Sequence, residues 1–314
     1  MTSRLLTRTL LLVLVSAALL PLAAQTPGSA AAEREQWREE ISAWRTQHEK
    51  EVSAPDGWLT LAGLDWLKPG FNAVGSAEGS AIKLPLQAPA KLGLITVSGK
   101  TLQLLAPAGG FPEGLTIDGK LAREGQINAG GEHPSLIAWH SLTLLVLERG
   151  GRFLVRIKDS DSPNLTAFHG LNWYPPDPHF RIIALWTPYT PPHIEKIPTV
   201  LGNTLDLPAP GVAEFTLNGR ILKLEPVLED PQGKTLFFIL RDETSKTTTY
   251  QAARFLHTGL PNNGLDQPGI LTLDFNKLEN PPCAYTPYAT CPLPPEQNKL
   301  PVAIEAGEER YGRQ

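Results

Sequence analysis

The chain is poor in sulfur, poor in clustered positive charge and free of the short motifs that mark the commonest catalytic sites. Among its 314 residues are two cysteines, Cys283 and Cys291, and a single methionine. Two cysteines are too few by themselves for a tetrahedral zinc site, and their C-x7-C spacing is not the C-x-x-C of thiol redox proteins. Lysine and arginine number 28 against 32 acids, giving a net charge of −4, and the basic residues are scattered singly. Without a basic stripe to neutralise phosphates, the sequence argues against a nucleic-acid partner. No G-x-S-x-G, G-x-x-x-x-G-K-[ST], G-x-G-x-x-G or H-E-x-x-H occurs, so no cofactor and no metal are expected. His48, His133, His140, His169, His179, His193 and His257 read as surface or packing residues. Because triads assemble in space, missing motifs leave catalysis open.

Long apolar runs are missing too. The longest, Leu10 to Leu22, follows Arg4 and Arg8 and precedes the small residues Ala23 and Ala24. Its roughly 13 residues fall short of the roughly 20 that a spanning helix needs. Positive, apolar and then small is the order of a secretory signal peptide, read here over residues 1–25, with cleavage between 24 and 31. No cysteine follows the run to carry a lipid, and no Arg-Arg pair precedes it, so after cleavage no membrane span is expected. Loss of Arg4 and Arg8 leaves 26 basic residues against 32 acids, a balance of −6. The expected location is periplasmic or extracellular.

Residues 33–52 begin with EREQWREEISAWRTQHEK, in which Trp37, Ile41 and Trp44 recur at helical spacing opposite a charged face. This amphipathic helix must dock its stripe on something, its own protein body being the commoner case and a partner or membrane surface the alternative. Ser53, Pro55, Asp56 and Gly57 end it. Beyond Trp58, short apolar runs alternate with Gly, Pro, Asn and Asp at spacings of about 8–12 residues, the pattern of a β-sandwich or barrel. Asp118-Gly119, Gly150-Gly151 and Asn218-Gly219 suit tight hairpins. The turn-rich DSDSPN, residues 159–164, suggests a boundary between β domains at 56–160 and 165–314, a single β body being the alternative. Asp159, Asp161 and Asn164 could ligate a hard cation, but Pro163 interrupts a calcium loop and turn capping is expected. Ten prolines between Pro163 and Pro210 place that stretch in edge or connecting chain. The fold class is therefore mainly β: two packed sandwich or barrel-like domains with an N-terminal amphipathic helix.

Seven prolines between Pro281 and Pro301 exclude a regular helix and call for a long ordered loop ending in a strand, LPVAIEA. A disulfide between Cys283 and Cys291 would close a nine-residue loop, contributing about 2.5 kcal/mol on the chain-entropy model. The strongest polar constellation is Tyr250, Arg254, Asp274, Asn276 and Asn280. Tyr250 and Arg254 share parity in YQAARFL, as do Asp274 and Asn276 in LTLDFN, so on paired strands each set would share one sheet face. Either Arg254 and Asp274 form a structural ion pair, or Arg254 forks onto an anionic ligand while Asp274 accepts its protons and the asparagines orient it.

The blocks GWLTLAGLDWLKPGFNAVGS, DSDSPNLTAFHGLNWYPPDPHFRI, PTVLG, YQAARFL and LDFNKLENPPCAYTPYATCPLPPEQNKLPVAIEAGE resemble the bacterial family known as domain of unknown function 1684. The resemblance marks Trp58, Gly75, Asp159, Asp177, Arg254, Asp274, Asn276, Asn280, Cys283 and Cys291 among its positions, and implies an organisation but no activity. GFNAVGS, AIKLP and LTIDGK also resemble a forkhead-associated sandwich. Ser76 stands where that fold's phosphate-reading Arg would be and no Ser-x-x-His follows, so this likeness concerns the fold alone.

Two functions follow. One is an exported binding protein whose proline-rich tail forms a pocket for a small molecule or envelope component. The other is a hydrolase or lyase acting on a small anionic or sugar-like substrate, with Asp274 as general base and Arg254 as clamp.

Overall fold

A computed structural model describes residues 27–130, 133–230 and 232–312. The leader-like residues 1–25 lie outside this range. Helix α1 (Pro27–Val52) is the long helix of the described chain, reaching further toward the N-terminus than its apolar stripe required. It docks on the protein's own body: Trp37 and Ile41 are buried, and the Trp37 indole donates to Asp274 Oδ2 at 2.7 Å. Trp44 meets Trp173 edge-on, with ring centres 5.5 Å apart. No described helix is long and apolar enough to cross a membrane.

The next strands are β1 (Leu61–Trp66), β2 (Gly70–Gly75), β3 (Ile82–Lys83), β4 (Gly93–Ser98), β5 (Thr101–Leu105), β6 (Thr116–Ile117), β7 (Lys120–Leu121), β8 (Gly125–Ile127), β9 (Leu136–Trp139), β10 (Leu142–Arg149) and β11 (Arg152–Asp159). They form a six-stranded sheet, β1-β11-β10-β9-β6-β7, and a five-stranded sheet, β3-β2-β4-β5-β8. Alternation decides which residues face inward: Leu142, Leu144 and Val146 from one sheet and Ile95, Leu102 and Leu104 from the other share one core. The three dipeptides are two-residue hairpin turns. Asp118, Gly119, Gly150, Gly151, Asn218 and Gly219 all have positive φ, the backbone twist that joins right-twisted strands without splaying them.

After a short helical turn, α2 (Pro163–Thr166), capped by Ser162, come β12 (Arg181–Pro198), β13 (Thr204–Leu217), β14 (Arg220–Leu224), β15 (Leu236–Leu240), β16 (Arg254–Thr258) and β17 (Gly269–Asp274). They build a four-stranded sheet, β14-β13-β12-β17, and a β15-β16 ribbon over a separate core that includes Trp186, Phe215, Phe238 and Phe275.

Three expectations need correction here. The proline-rich stretch is not confined to an edge, since β12 lies between β13 and β17. It tolerates proline because β17 covers only Arg181–Trp186, and the ladder to β13 is interrupted between Pro188 and His193, where no N–H is needed. Asp274 and Asn276 do not share a strand: β17 ends at Asp274, whose carboxylate caps a 3-10 turn by accepting from Asn276 N at 3.1 Å. LPVAIEA is not a strand. Val302, Ile304 and Ala306 are buried alternately, but the carbonyls of Ile304 and Ala306 are taken by the Arg254 guanidinium instead of by a sheet neighbour.

Arg254 is 1% exposed and pairs with Asp242 at 3.0 Å. The Asp242 carboxylate also accepts from Thr244 N at 2.9 Å and from Ile304 N at 3.2 Å. A charge so placed is costly to strand, so Arg254→Met, which leaves Asp242 buried and uncompensated, should lower unfolding stability by about 3–5 kcal/mol. Denaturant titration measures this, and a loss below about 1 kcal/mol, the surface-pair range, would contradict the assignment.

Candidate functional site

A cavity of about 340 Å³ opens where α1, the first sandwich and the C-terminal segment meet. From the sandwich come Arg149, at the end of β10, and Arg156, on β11; from the C-terminal half come Phe237, Phe255, Asn280 and the loop carrying Ala289, Thr290 and Cys291. Its size is at the small end for ligand pockets.

One side of the cavity is an alternating series of carboxylates and imidazoles. Glu279 reaches His48 Nδ1 at 3.2 Å and His257 Nδ1 at 3.4 Å. His257 Nε2 lies 3.7 Å from Glu229, and His48 Nε2 3.4 Å from Glu308. Glu308, 1% exposed, accepts from Asn280 N at 2.8 Å and from Asn280 Nδ2 at 2.7 Å. The Tyr285 hydroxyl lies 2.8 Å from both its oxygens. Burial resists charging His48, but the hydrogen bond to Glu308 and the charge of Glu279 more than offset it, and its pKa is raised. His257 is likewise opposed by burial, yet its bonds to Glu229 and Glu279 push it up to about 9. Burial, reinforced by Glu308, holds the Tyr285 hydroxyl well above its ordinary range.

Arg149 and Arg156 are of a different kind. Among the described residues neither has a carboxylate within ion-pair distance. Arg149 donates to the Glu148 carbonyl at 2.8 Å, and the Arg156 guanidinium lies 5.7 Å from the centre of the Trp58 ring. Burial and then the like charge of Arg149 lower the Arg156 pKa. Arg156 Nε and Asn280 Oδ1 are both buried without a hydrogen-bond partner, and both residues line the cavity. Buried polar atoms are seldom left so. The Asn280 amide is fixed by its two Nδ2 bonds, to Glu308 and to the Glu309 carbonyl at 2.8 Å, which leaves Oδ1 as the spare acceptor.

Of the five residues grouped from the sequence, only Asn280 lines this cavity. Arg254 does not meet Asp274: β16 pairs with β15 and β17 with β12, so their strands are not neighbours. Asp274 lies near Trp37, Asn276 and Arg181 and lines a separate depression of about 210 Å³. Asn276 accepts from Asp177 N at 2.8 Å and donates to its carbonyl at 2.9 Å. Tyr250 donates from its hydroxyl to the Cys283 carbonyl at 3.1 Å, supporting the cleft loop from behind. Cys283 and Cys291 are disulfide-bonded, with Cα atoms 6.1 Å apart. Asp159 caps its own turn, accepting from Asp161 N at 3.0 Å and from Gln87 at 2.9 Å.

The sequence reading missed His48, His257, Glu279, Glu308 and the two arginines. His48 alone carried a legible signal, four residues after Trp44 and seven after Ile41, on the docking face of α1.

The His257 linkage has a definite sign. A folded pKa raised from 6.5 to about 9 makes His257 a source of stability that is fully present below about pH 6.5 and lost as pH rises through about 9. His257→Gln should therefore flatten the fall in melting temperature between these values, and an unchanged profile would contradict the pairing.

A family model described as Protein of unknown function (DUF1684) matches residues 166–309. No curated protein matches. Among solved structures, the solution NMR structure of an uncharacterized protein of Haloarcula marismortui is 31% identical; the match covers 46% of this chain and 78% of that one, with a TM-score of 0.40.

Proposed function

The chain belongs to the family described as Protein of unknown function (DUF1684), and from that premise we propose that it is an exported binding protein whose ligand is a small anionic molecule held in the cleft. The observation that carries this reading is the arginine pair: two guanidiniums on one cavity, neither answered by a carboxylate among the described residues. Like charges held together without counterions are unfavourable, and guanidinium geometry suits a carboxylate or phosphate. Asn280 Oδ1 supplies an acceptor for a donor group on the same ligand. The proline-rich tail shapes the pocket, as Ala289, Thr290 and Pro292 line it. Export is supported by the leader-like order of residues 1–25 and by the Cys283–Cys291 pair, a bond that persists in oxidising compartments.

The hydrolase or lyase reading through Asp274 and Arg254 is not carried forward. It needs Arg254 open to a substrate, and that guanidinium is spent on Asp242 and the carbonyls of Ile304, Ala306 and Glu308.

Calorimetric titration with inorganic phosphate, benzoate and glucuronate tests the proposal. At least one should bind, binding should weaken with added salt, and Arg156→Ala should reduce affinity about tenfold or more, the worth of one charged hydrogen bond. Binding of none of the three, or equal binding by the variant, would overturn it.

A further inference from the structure

A second group of side chains lies outside the cleft. His193 and Glu195 are two apart on β12 and therefore point to the same side of the sheet. Glu225 directly follows β14, and the β12-β13-β14 pairing brings it alongside. One donor atom from each of the three lies within 4.8 Å of the other two. His193 Nε2 is 3.4 Å from Glu195 Oε2 and 3.9 Å from Glu225 Oε2. Two donors sharing a tetrahedral ion at about 2.0–2.1 Å stand about 3.4 Å apart, so the group is already near coordinating geometry.

Three features separate this group from an ordinary surface ion pair. Among the described residues no lysine or arginine reaches ion-pair distance of Glu195 or Glu225, so two carboxylates share one imidazole. Glu225 is held at its backbone by buried Asn298, which accepts from Glu225 N at 2.9 Å and donates to its carbonyl at 2.9 Å. Its carboxylate is held by Gln297 Nε2 at 3.3 Å and by the Tyr189 hydroxyl. Tyr189 also packs its ring 4.8 Å from that of His193. Metal sites are oriented by such outer hydrogen bonds, which fix the ligands before the ion arrives.

We propose that His193, Glu195 and Glu225 form a surface site for a divalent transition-metal ion, with Zn²⁺ the best fit. One imidazole and two carboxylates supply the mixed nitrogen and oxygen donors that zinc accepts, and they leave a fourth position for water or another ligand. Magnesium, which prefers an all-oxygen octahedral shell, fits poorly. The site is independent of the anion cleft, since none of its residues lines that cavity.

Equilibrium dialysis of the untagged full chain against Zn²⁺ tests the proposal. The wild-type protein should take up about one equivalent, and Mg²⁺ in excess should not displace it. His193→Ala and Glu225→Gln should each weaken uptake about tenfold or more, the lower range seen when a coordination shell is damaged. His257→Gln, in the cleft, should bind as wild type does. Absence of stoichiometric uptake, or full uptake by both site variants with unchanged metal-free melting curves, would overturn the proposal.

Discussion

The architecture around the cleft depends on one buried carboxylate, Glu308. It is sealed from water and held by the backbone and side chain of Asn280, the Tyr285 hydroxyl and His48. Burying a charge is expensive unless donors replace its hydration, and here the donors come from α1 and from the Asn280–Tyr285 stretch. Satisfying Glu308 therefore brings the helix and the proline-rich segment to one point. Arg254 places the carboxylate, since its guanidinium donates to the carbonyls of Ile304, Ala306 and Glu308 while pairing with Asp242. The C-terminal chain runs extended with no ladder, and a buried guanidinium does for its carbonyls what a neighbouring strand would otherwise do.

The cleft follows from this junction. The first sandwich closes its own core between two sheets and places Arg149 and Arg156 on the cleft. The second half supplies His257, Glu279 and the disulfide-closed loop. Acid and imidazole neutralise one another along one side, whereas the arginines have no such answer. That asymmetry is the basis of the proposed anion site in a chain whose overall balance is negative.

Much of the fold was legible in the sequence because its causes are local. Alternation from Leu142 to Arg149 set the buried face of β10, Asp118-Gly119 and Asn218-Gly219 set hairpins, and the Trp37–Ile41–Trp44 stripe set the docking face of α1. The disulfide followed from there being only two cysteines. The site was much less legible, for physical reasons. Parity in YQAARFL and LTLDFN suggested a common face, but parity constrains one strand and says nothing about which strands pair. β16 and β17 went to different partners, Arg254 turned inward to Asp242, and Asp274 became a cap. Glu308 lies 29 residues beyond Glu279 in the sequence and Arg156 far before it, so no spacing rule joins them. His193 and Glu195 did carry a strand-spaced H-x-E, but its third member needed the β12-β13-β14 register.

If Glu308 is the junction, removing its carboxylate should loosen two segments distant in sequence while sparing the sandwich. Hydrogen–deuterium exchange on Glu308→Ala compared with the unaltered protein measures this directly. The account predicts faster exchange in both residues 41–52 of α1 and residues 279–292, with residues 61–159 unchanged. Faster exchange confined to the residues flanking position 308, with α1 as protected as before, would contradict it.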